Sequence, residues 1–139
     1  MHQGLLPAIR SLCRRNSEIY KDIELDVKLE ISEEDIPERL KIICYRVIQE
    51  CFNNAVKHSC ADNLQICLGK ENSRIHLSVS DNGKGFDVET TVGMSGGDSG
   101  MGLPGMIERV ELAGGSIEIT SKEMHSTRIK IELPLKDVD

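Results

Sequence analysis

A stripe of apolar residues at helical spacing runs through the middle of the sequence and constrains the fold more than any other feature. The apolar positions recur every three or four residues over several turns, which predicts one long helix with a single face to bury. The start is predicted by Pro37 in the first turn and by the acidic residues before it, with Asp35 or a neighbour as the cap. We expect the helix to run to about His58. The stripe comprises Leu40, Ile43, Cys44, Val47, Ile48, Cys51, Phe52, Ala55 and Val56.

Five further segments alternate apolar and polar residues, which predicts strands with one buried face. The clearest is residues 23–31, in which every second residue is apolar. Residues 64–68 and 75–79 flank the turn residues GKENS and predict a hairpin. The segments SIEITS and STRIKIELPL predict two last strands near the end of the chain.

Two shorter helices complete the predicted order of elements. The first runs through GLLPAIRSLCRR, with Pro7 in its first turn or at a kink. The second runs through LPGMIERVELAGG and ends at Gly114 and Gly115. The order α-β-α-β-β-loop-α-β-β predicts the α+β class, as a two-layer α/β sandwich with helices packed on a mixed, mostly antiparallel sheet. The inward residues of the last helix are predicted to be Leu103, Ile107, Val110 and Leu112.

Composition limits the function classes. The 139 residues suffice for one domain, and a net charge of -6 with two Tyr, two Phe and no Trp argues against nucleic-acid binding. No apolar run reaches the roughly 18–20 residues that a membrane span needs. The five cysteines form no C-x-x-C pair, which argues against a disulfide framework or a zinc site and favours a reducing cytoplasm. We interpret Cys44 and Cys51 as small buried hydrophobes.

Glu50 and Asn54 interrupt the apolar pattern of the long helix. They are four residues apart, so their side chains lie on the same helix face. Carboxylate and amide oxygens suit Mg²⁺, and a carboxylate can polarise a nearby water molecule. The alternative is a solvated polar edge, which this pair alone favours.

The stretch SVSDNGKGFD departs from the strand pattern at Asp81. An aspartate at the end of a strand can accept a hydrogen bond from an exocyclic amine, the group that separates adenine from guanine. Gly83 and Gly85 allow the backbone to approach a ligand closely. The alternative, a tight turn with an Asx hydrogen bond, is favoured if the stretch is taken alone.

Gly100, Gly102 and Gly105 have the spacing G-x-G-x-x-G, which occurs in dinucleotide-binding folds. Such a motif must directly follow a buried strand, and no strand is predicted in the preceding GMSGGDS. The glycines instead open a helix, whose first N–H groups can bind phosphate. We therefore predict a phosphate site and no dinucleotide fold.

The order ECFNNAVKH, DNGKGF and GMGLPGMIERVELAGG resembles the Bergerat-type ATPase domain of sensor histidine kinases, type II topoisomerases, heat-shock chaperones and mismatch-repair ATPases. The segments YRVIQECFNNAVKHS and GLPGMIERVELAGGSIEI are most similar to the corresponding segments of bacterial two-component kinases of the nitrate/nitrite-sensor class. The similarity extends from about Leu5 to Leu135.

The resemblance implies roles for the helix motif. Asn54 would coordinate the Mg²⁺ that bridges the triphosphate of ATP, and Glu50 would be the catalytic residue that orients or activates groups near the γ-phosphate. Lys57 and His58 match positions near the phosphates. For His58 the alternative is a helix-end histidine stabilised by the helix dipole.

The resemblance also implies an adenine site. Asp81 would accept from the adenine amino group, Gly83 and Gly85 would shape the pocket floor, and Thr127 would support the adenine. Ser126 stands where the family usually has a glycine, which is a departure in the loop before Thr127.

A glycine-rich ATP lid is implied for residues 87–102. Gly100 and Gly102 would hinge this lid and bring backbone N–H groups to the phosphates, and Met101 and Leu103 belong to the same ATP-binding stretch. On this basis the match to G-x-G-x-x-G is coincidental.

For the chain as a whole, the resemblance implies a protein histidine kinase catalytic domain that donates the γ-phosphoryl group of Mg-ATP to a histidine on a separate dimerisation domain. We expect residues 1–139 to be one such domain without the dimerising, phosphoacceptor hairpin, because only a short helix precedes the first strand. A response regulator would be the downstream partner. We expect the domain to be cytoplasmic and monomeric, without nucleic-acid or membrane contact, and unable to phosphorylate itself; its parent could be anchored in the inner membrane.

Three alternatives stay open. A standalone serine kinase of the anti-sigma type would keep the fold and change the acceptor. A nucleotide-responsive interaction module would keep binding without catalysis, although the presence of Glu50, Asn54 and Asp81 speaks against it. A dinucleotide-binding oxidoreductase domain is the third.

Overall fold

The computed structural model describes residues 4–19, 22–57, 62–83, 103–121 and 127–136. These residues form helices and strands in the order predicted from the sequence. In chain order the elements are α1 (Leu5–Ile19), β1 (Glu24–Glu30), a 3-10 turn (Glu33–Asp35), α2 (Glu38–Lys57), β2 (Asn63–Glu71), β3 (Arg74–Asp81), α3 (Leu103–Leu112), β4 (Ser116–Ser121) and β5 (Thr127–Pro134).

The strands form one sheet in the order β1-β2-β3-β5-β4. Only β1 and β2 are parallel, and the other three pairs are antiparallel. A parallel pair requires a crossover connection, which α2 supplies between β1 and β2. The predicted mixed, mostly antiparallel sheet is confirmed.

The core lies between the sheet and the helices. On β2, β3 and β5 every second side chain is buried, so one face of the sheet packs against the helix layer. Burial raises the pKa of the Cys44 thiol to about 12, which confirms this residue as a protonated, inert part of the core. No helix within the described ranges is long and apolar enough to cross a membrane. The buried stripe of α2 comprises Leu40, Ile43, Cys44, Val47, Ile48, Cys51, Phe52 and Ala55, as predicted; the side chain of Val56, the last predicted member, lies outside the described part of the chain.

The β2–β3 hairpin is tighter than the sequence suggests. Its turn consists of Asn72 and Ser73, both with positive φ, 53° and 62°. This is the geometry of a two-residue turn that matches the twist of the flanking strands. Gly69, Lys70 and Glu71 of the predicted turn belong to β2.

The start of α2 differs from the prediction. The acidic residues form a separate 3-10 turn, and α2 begins after Pro37. The proline disfavours helical geometry at the residue before it, and Ile36 is extended, with φ -102° and ψ 113°. Asp35 therefore ends the short turn and does not cap α2.

Glu33 serves the other helix instead. Its carboxylate accepts hydrogen bonds from the backbone N–H groups of Leu5 (2.7 Å) and Leu6 (2.8 Å), the first residues of α1. Such groups have no partner within the helix, so the carboxylate caps α1 from 28 residues away in sequence. The Lys41 ammonium is 2.9 Å from the same carboxylate and 2.8 Å from that of Glu38. This network ties α1 to the first turn of α2.

The end of α3 is fixed by Gly114 and Gly115. Gly114 has φ +81°, its N–H donates to the Glu111 carbonyl, and the N–H of Gly115 donates to the Val110 carbonyl. This is the Schellman pattern that closes helices. The predicted inward position of Leu112 is wrong, because the side chain is 79% exposed in the last turn; Met106, one turn before Val110, is buried instead.

Candidate functional site

The site is built around the last residue of β3. Asp81 continues the buried face that Ile75, Leu77 and Val79 form along the same strand, and only 8% of it is exposed. In the sheet it lies opposite Thr127 of β5, which is 6% exposed. The register therefore places a carboxylate and a hydroxyl side by side at the end of an otherwise apolar face.

The conformation of Asp81 is held by the turn that follows it. Its Oδ1 accepts a hydrogen bond of 2.8 Å from the backbone N–H of Gly83. The Asx hydrogen bond considered as the alternative for this stretch is thus present, and a carboxylate, with about four acceptor positions on its two oxygens, can still accept from further donors. Burial raises the pKa of Asp81, and hydrogen bonds from the backbone N–H groups of Gly83 and Thr127 oppose that rise.

Cys51 links this strand end to the helix motif. It belongs to the buried stripe of α2, and burial raises the pKa of its thiol; the charges of Asp81 and Glu50 raise it further. Both carboxylates therefore act electrostatically on the same thiol. Glu50 and Asn54 are half-buried, one helical turn apart on α2. The structure thus brings Glu50, Asn54, Asp81 and Thr127 to one end of the molecule.

The donor chemistry of this end fits a hard cation. Glu50 and Asn54 offer a carboxylate and an amide oxygen at the partly exposed edge of the helix, and Mg²⁺ prefers such oxygens while retaining water and phosphate ligands. A thiol is also nearby, but the Cys51 sulfur is buried and protonated. The accessible donors are therefore oxygens.

Asn82 is a site residue that our sequence interpretation missed. Its Oδ1 accepts hydrogen bonds from the backbone N–H groups of Asp62 (2.9 Å) and Asn63 (2.8 Å). Its own backbone N–H donates to the Asn63 carbonyl at 3.3 Å. The signal in the sequence was an asparagine directly after a strand end, a residue type whose side chain commonly bonds to backbone groups.

The other predicted residues are described in part or not at all. Lys57 is the last residue of α2 and Leu103 the first of α3. The helix α3 thus begins directly after Gly102, and Gly105, the third glycine of the motif, lies in its first turn. His58, Gly85, Gly100, Met101 and Gly102 lie outside the described residues, as does the predicted lid.

Two other grooves on the described part of the chain are not lined by the predicted site residues. One groove of about 410 Å³ lies on the open face of the sheet, over Ser78 and Lys130. Another of about 440 Å³ lies between α2 and α3, over Ile42 and Leu112. Neither is lined by a buried carboxylate such as Asp81, and buried titratable groups are the better indication of a functional site.

Comparison with known families and proteins agrees with this geometry. The profile of the family described as histidine kinase-, DNA gyrase B-, and HSP90-like ATPase matches residues 40–137. The chain is 42% identical to the sensor histidine kinase YdfH of Bacillus subtilis over 94 residues, which are 67% of this chain and 22% of that protein. It is 31% identical to the oxygen sensor histidine kinase NreB of Staphylococcus carnosus, over 96% of this chain and 37% of that protein.

Another relative, the sensor histidine kinase LiaS of B. subtilis, is 32% identical over 85% of this chain and 31% of its own length. The chain thus spans about a fifth to two fifths of the length of these three relatives.

Solved structures share the fold. The histidine kinase domain of the blue-light activated kinase of Erythrobacter litoralis EL346 superposes with a TM-score of 0.70 at 19% identity, over 88% of this chain and 57% of that chain. The Acinetobacter baumannii histidine kinase AdeS gives a TM-score of 0.67 at 16% identity, over 96% of this chain and 66% of that chain. The predicted α+β two-layer fold and the predicted kinase-type ATPase family are confirmed.

Proposed function

Because this chain belongs to the histidine kinase-, DNA gyrase B-, and HSP90-like ATPase family, we propose that it binds Mg-ATP and donates the γ-phosphoryl group to a histidine. The acceptor histidine would lie on a separate dimerisation domain, as in the sensor kinases to which the chain is similar. ATP binding follows from the family. The acceptor, the metal ion and the role of each residue are parts of the proposal.

The buried carboxylate of Asp81 carries the proposal. It accepts from the backbone N–H groups of Gly83 and Thr127, and its remaining acceptor positions can take the exocyclic amine of adenine. Guanine has a carbonyl at that position and would place two acceptors against each other. Thr127 beside it supplies a hydroxyl at the same end of the sheet. The site thereby favours adenine nucleotides.

The helix α2 would hold the triphosphate end. Asn54 would bind Mg²⁺ through its amide oxygen, and the ion would neutralise charge on the phosphates. Glu50, one turn earlier, would orient the attacking group at the γ-phosphate and take up its proton. Lys57 and His58 would contribute positive charge nearby, and the N–H groups at the start of α3, with the glycines before it, would contact the phosphates.

The protein's contribution to such a reaction is positioning and charge stabilisation, since phosphoryl transfer involves little covalent chemistry by the enzyme. We propose that residues 1–139 act as one catalytic domain in the cytoplasm and that the phosphorylated histidine passes its phosphoryl group to a response-regulator aspartate.

Transfer in trans tests this proposal. The chain is incubated with γ-labelled Mg-ATP and the separately purified phosphoacceptor domain of one of the relatives named above, and acid-labile phosphohistidine is measured. We expect label on that domain and none on the chain alone, with Glu50→Gln lowering the rate about 100-fold while ATP still binds. Label that remains on the chain itself, or acid-stable phosphoserine on the acceptor, would contradict the proposal.

A further inference from the structure

Asn82 lies between Asp81, the proposed adenine-binding carboxylate, and Gly83 of the turn that follows. Its side chain connects this turn to the start of β2, about 20 residues earlier in the sequence. Through Oδ1 it accepts from the N–H groups of Asp62 and Asn63 at 2.9 and 2.8 Å. Because both partners are donors, the amide must present its oxygen to them, which fixes the orientation of the side chain. The backbone N–H of Asn82 adds a third bond, to the Asn63 carbonyl.

Asp62 and Asn63, which donate to the Asn82 side chain, are themselves hydrogen-bonded to or part of the sheet. The carbonyl of Asp62 accepts from the N–H of Glu24 at 2.8 Å, at the start of β1. Asn63 begins β2, and the next residue, Leu64, pairs with Asp81 across the sheet. The side chain of Asn82 therefore extends the β2–β3 ladder one step beyond the last paired residue.

These bonds hold residues 81–83 from both sides. The N–H groups of Gly83 and Thr127 donate to the Asp81 carboxylate, and the Asn82 side chain fixes the backbone between Asp81 and Gly83 against β2. We propose that Asn82 is a positioning residue for nucleotide selection: it sets the direction of the outward oxygen of Asp81 and so the discrimination between adenine and guanine nucleotides. A hydrogen-bond acceptor discriminates only if its direction is fixed before the ligand arrives.

This inference rests on the proposed function, so the experiment measures ATP and GTP affinity for the wild type first. The variants are Asn82→Ala, which removes the acceptor, and Asn82→Asp, which keeps an acceptor for both N–H groups. Gln65→Ala is the matched control, because Gln65 is an exposed amide on the opposite face of β2 from the site. Amide hydrogen exchange at Asp62 and Asn63 is measured in the same samples without nucleotide.

For Asn82→Ala we expect faster exchange at both amides and an ATP-to-GTP affinity ratio reduced about tenfold, the factor that about one net hydrogen bond represents. Asn82→Asp should restore both, since the added charge would affect the two triphosphates alike. Gln65→Ala should leave the ratio unchanged. A purely structural role would lower the melting temperature and leave the ratio as in the wild type.

The outcomes separate this inference from the proposed function. A wild type that binds neither nucleotide would overturn both. A wild type that prefers ATP together with an Asn82→Ala variant of unchanged ratio would overturn only the role of Asn82. The role of Asn82 would also be overturned by a second result. In that result, Asn82→Asp restores slow amide exchange at Asp62 and Asn63 but keeps the reduced ATP-to-GTP affinity ratio of Asn82→Ala.

Discussion

At the scale of single residues, Asp81 is a carboxylate in a position where burial disfavours its charge. It ends a strand whose other inward residues are apolar, and burial raises its pKa. A group whose pKa is raised by folding contributes stability below its unfolded pKa and loses that contribution as the pH rises through its folded pKa. At neutral pH the charge of Asp81 therefore costs stability, which is understandable at a binding site.

Replacing Asp81 by asparagine separates the two interpretations of this residue. Asn can still accept from the Gly83 N–H, so a role in the turn alone would survive the change. It cannot present a second acceptor, and its NH₂ group would face the adenine amine. We expect ATP affinity to fall about 100-fold or more, since losing a charge-assisted hydrogen bond and opposing two donors costs roughly 3 kcal/mol.

The stability of the same variant supplies the control. Without nucleotide at pH 7, Asp81→Asn should melt no lower than the wild type, because a buried charge has been removed. The difference should shrink at a pH below the ordinary pKa of aspartate, where the wild-type carboxyl is also neutral. Unchanged ATP affinity with a lowered melting temperature would mean that Asp81 is a turn residue only.

At the scale of elements, hydrogen bonds and ion pairs between helix ends and side chains distant in sequence fix how the helices are positioned. Glu33 caps α1 and binds Lys41 of α2, and this pair was not predicted because its partners are 28 and eight residues away in sequence. The predicted start of α2 was wrong at Asp35 for a local reason. Pro37 keeps Ile36 extended, so the acidic residues form a separate turn before the helix. The apolar stripe of α2 was predictable because helical spacing alone places it on one face.

Glu33→Gln tests the capping network. A glutamine has one acceptor oxygen and no charge, so one N–H of α1 loses its partner, and the Lys41 ammonium keeps only the Glu38 carboxylate. We expect the free energy of unfolding at pH 7, measured by urea denaturation, to fall by about 1–3 kcal/mol. Gln65→Ala, on the exposed sheet face, serves as a neutral comparison and should change stability by less than about 0.5 kcal/mol.

The pH dependence of this loss has a definite sign. Burial raises the pKa of Glu33, but hydrogen bonds from the Leu6 N–H, Lys41 and the Leu5 N–H outweigh it and lower the pKa. Its contribution is therefore present above the ordinary glutamate pKa of about 4.3 and is lost as the pH falls through the folded value. Wild type and Glu33→Gln should converge in stability in acid. A difference that stays constant from pH 7 to pH 3 would contradict the assignment.

The end of α3 allows a comparison of two neighbouring glycines. A Cβ at Gly115 would meet the Glu132 carbonyl and, at 2.8 Å, Leu133 Cδ2, so the backbone that joins α3 to β4 would have to move away from β5. At Gly114 only the φ of +81° is unfavourable for alanine. We expect Gly115→Ala to cost about 3 kcal/mol and Gly114→Ala about 1 kcal/mol in urea denaturation. Equal costs would show that the backbone at Gly115 does not approach β5 so closely.

At the scale of the molecule, the sequence predicted the layers better than their arrangement. Alternation identified all five strands, because a strand with one buried face repeats every second residue. It could not give the strand order or the register, which put Asp81 opposite Thr127, since those pairings join segments 46 residues apart. Leu112 was predicted inward from spacing alone, whereas the buried positions of α3 are Met106 and Val110 and the Leu112 side chain is exposed.

Thermal unfolding of the wild type and Asp81→Asn with ATP, ADP, GTP and NADH, each with and without Mg²⁺, tests whether Asp81 binds adenine. A ligand at 100 times its Kd adds about 2.7 kcal/mol, which raises the melting temperature of a domain of this size by several degrees. We predict such a rise for adenosine di- and triphosphates with the wild type, strengthened by Mg²⁺ and abolished in Asp81→Asn. No rise with ATP, an equal rise with GTP, or a rise with NADH alone would contradict the account of Asp81 as the adenine-binding carboxylate.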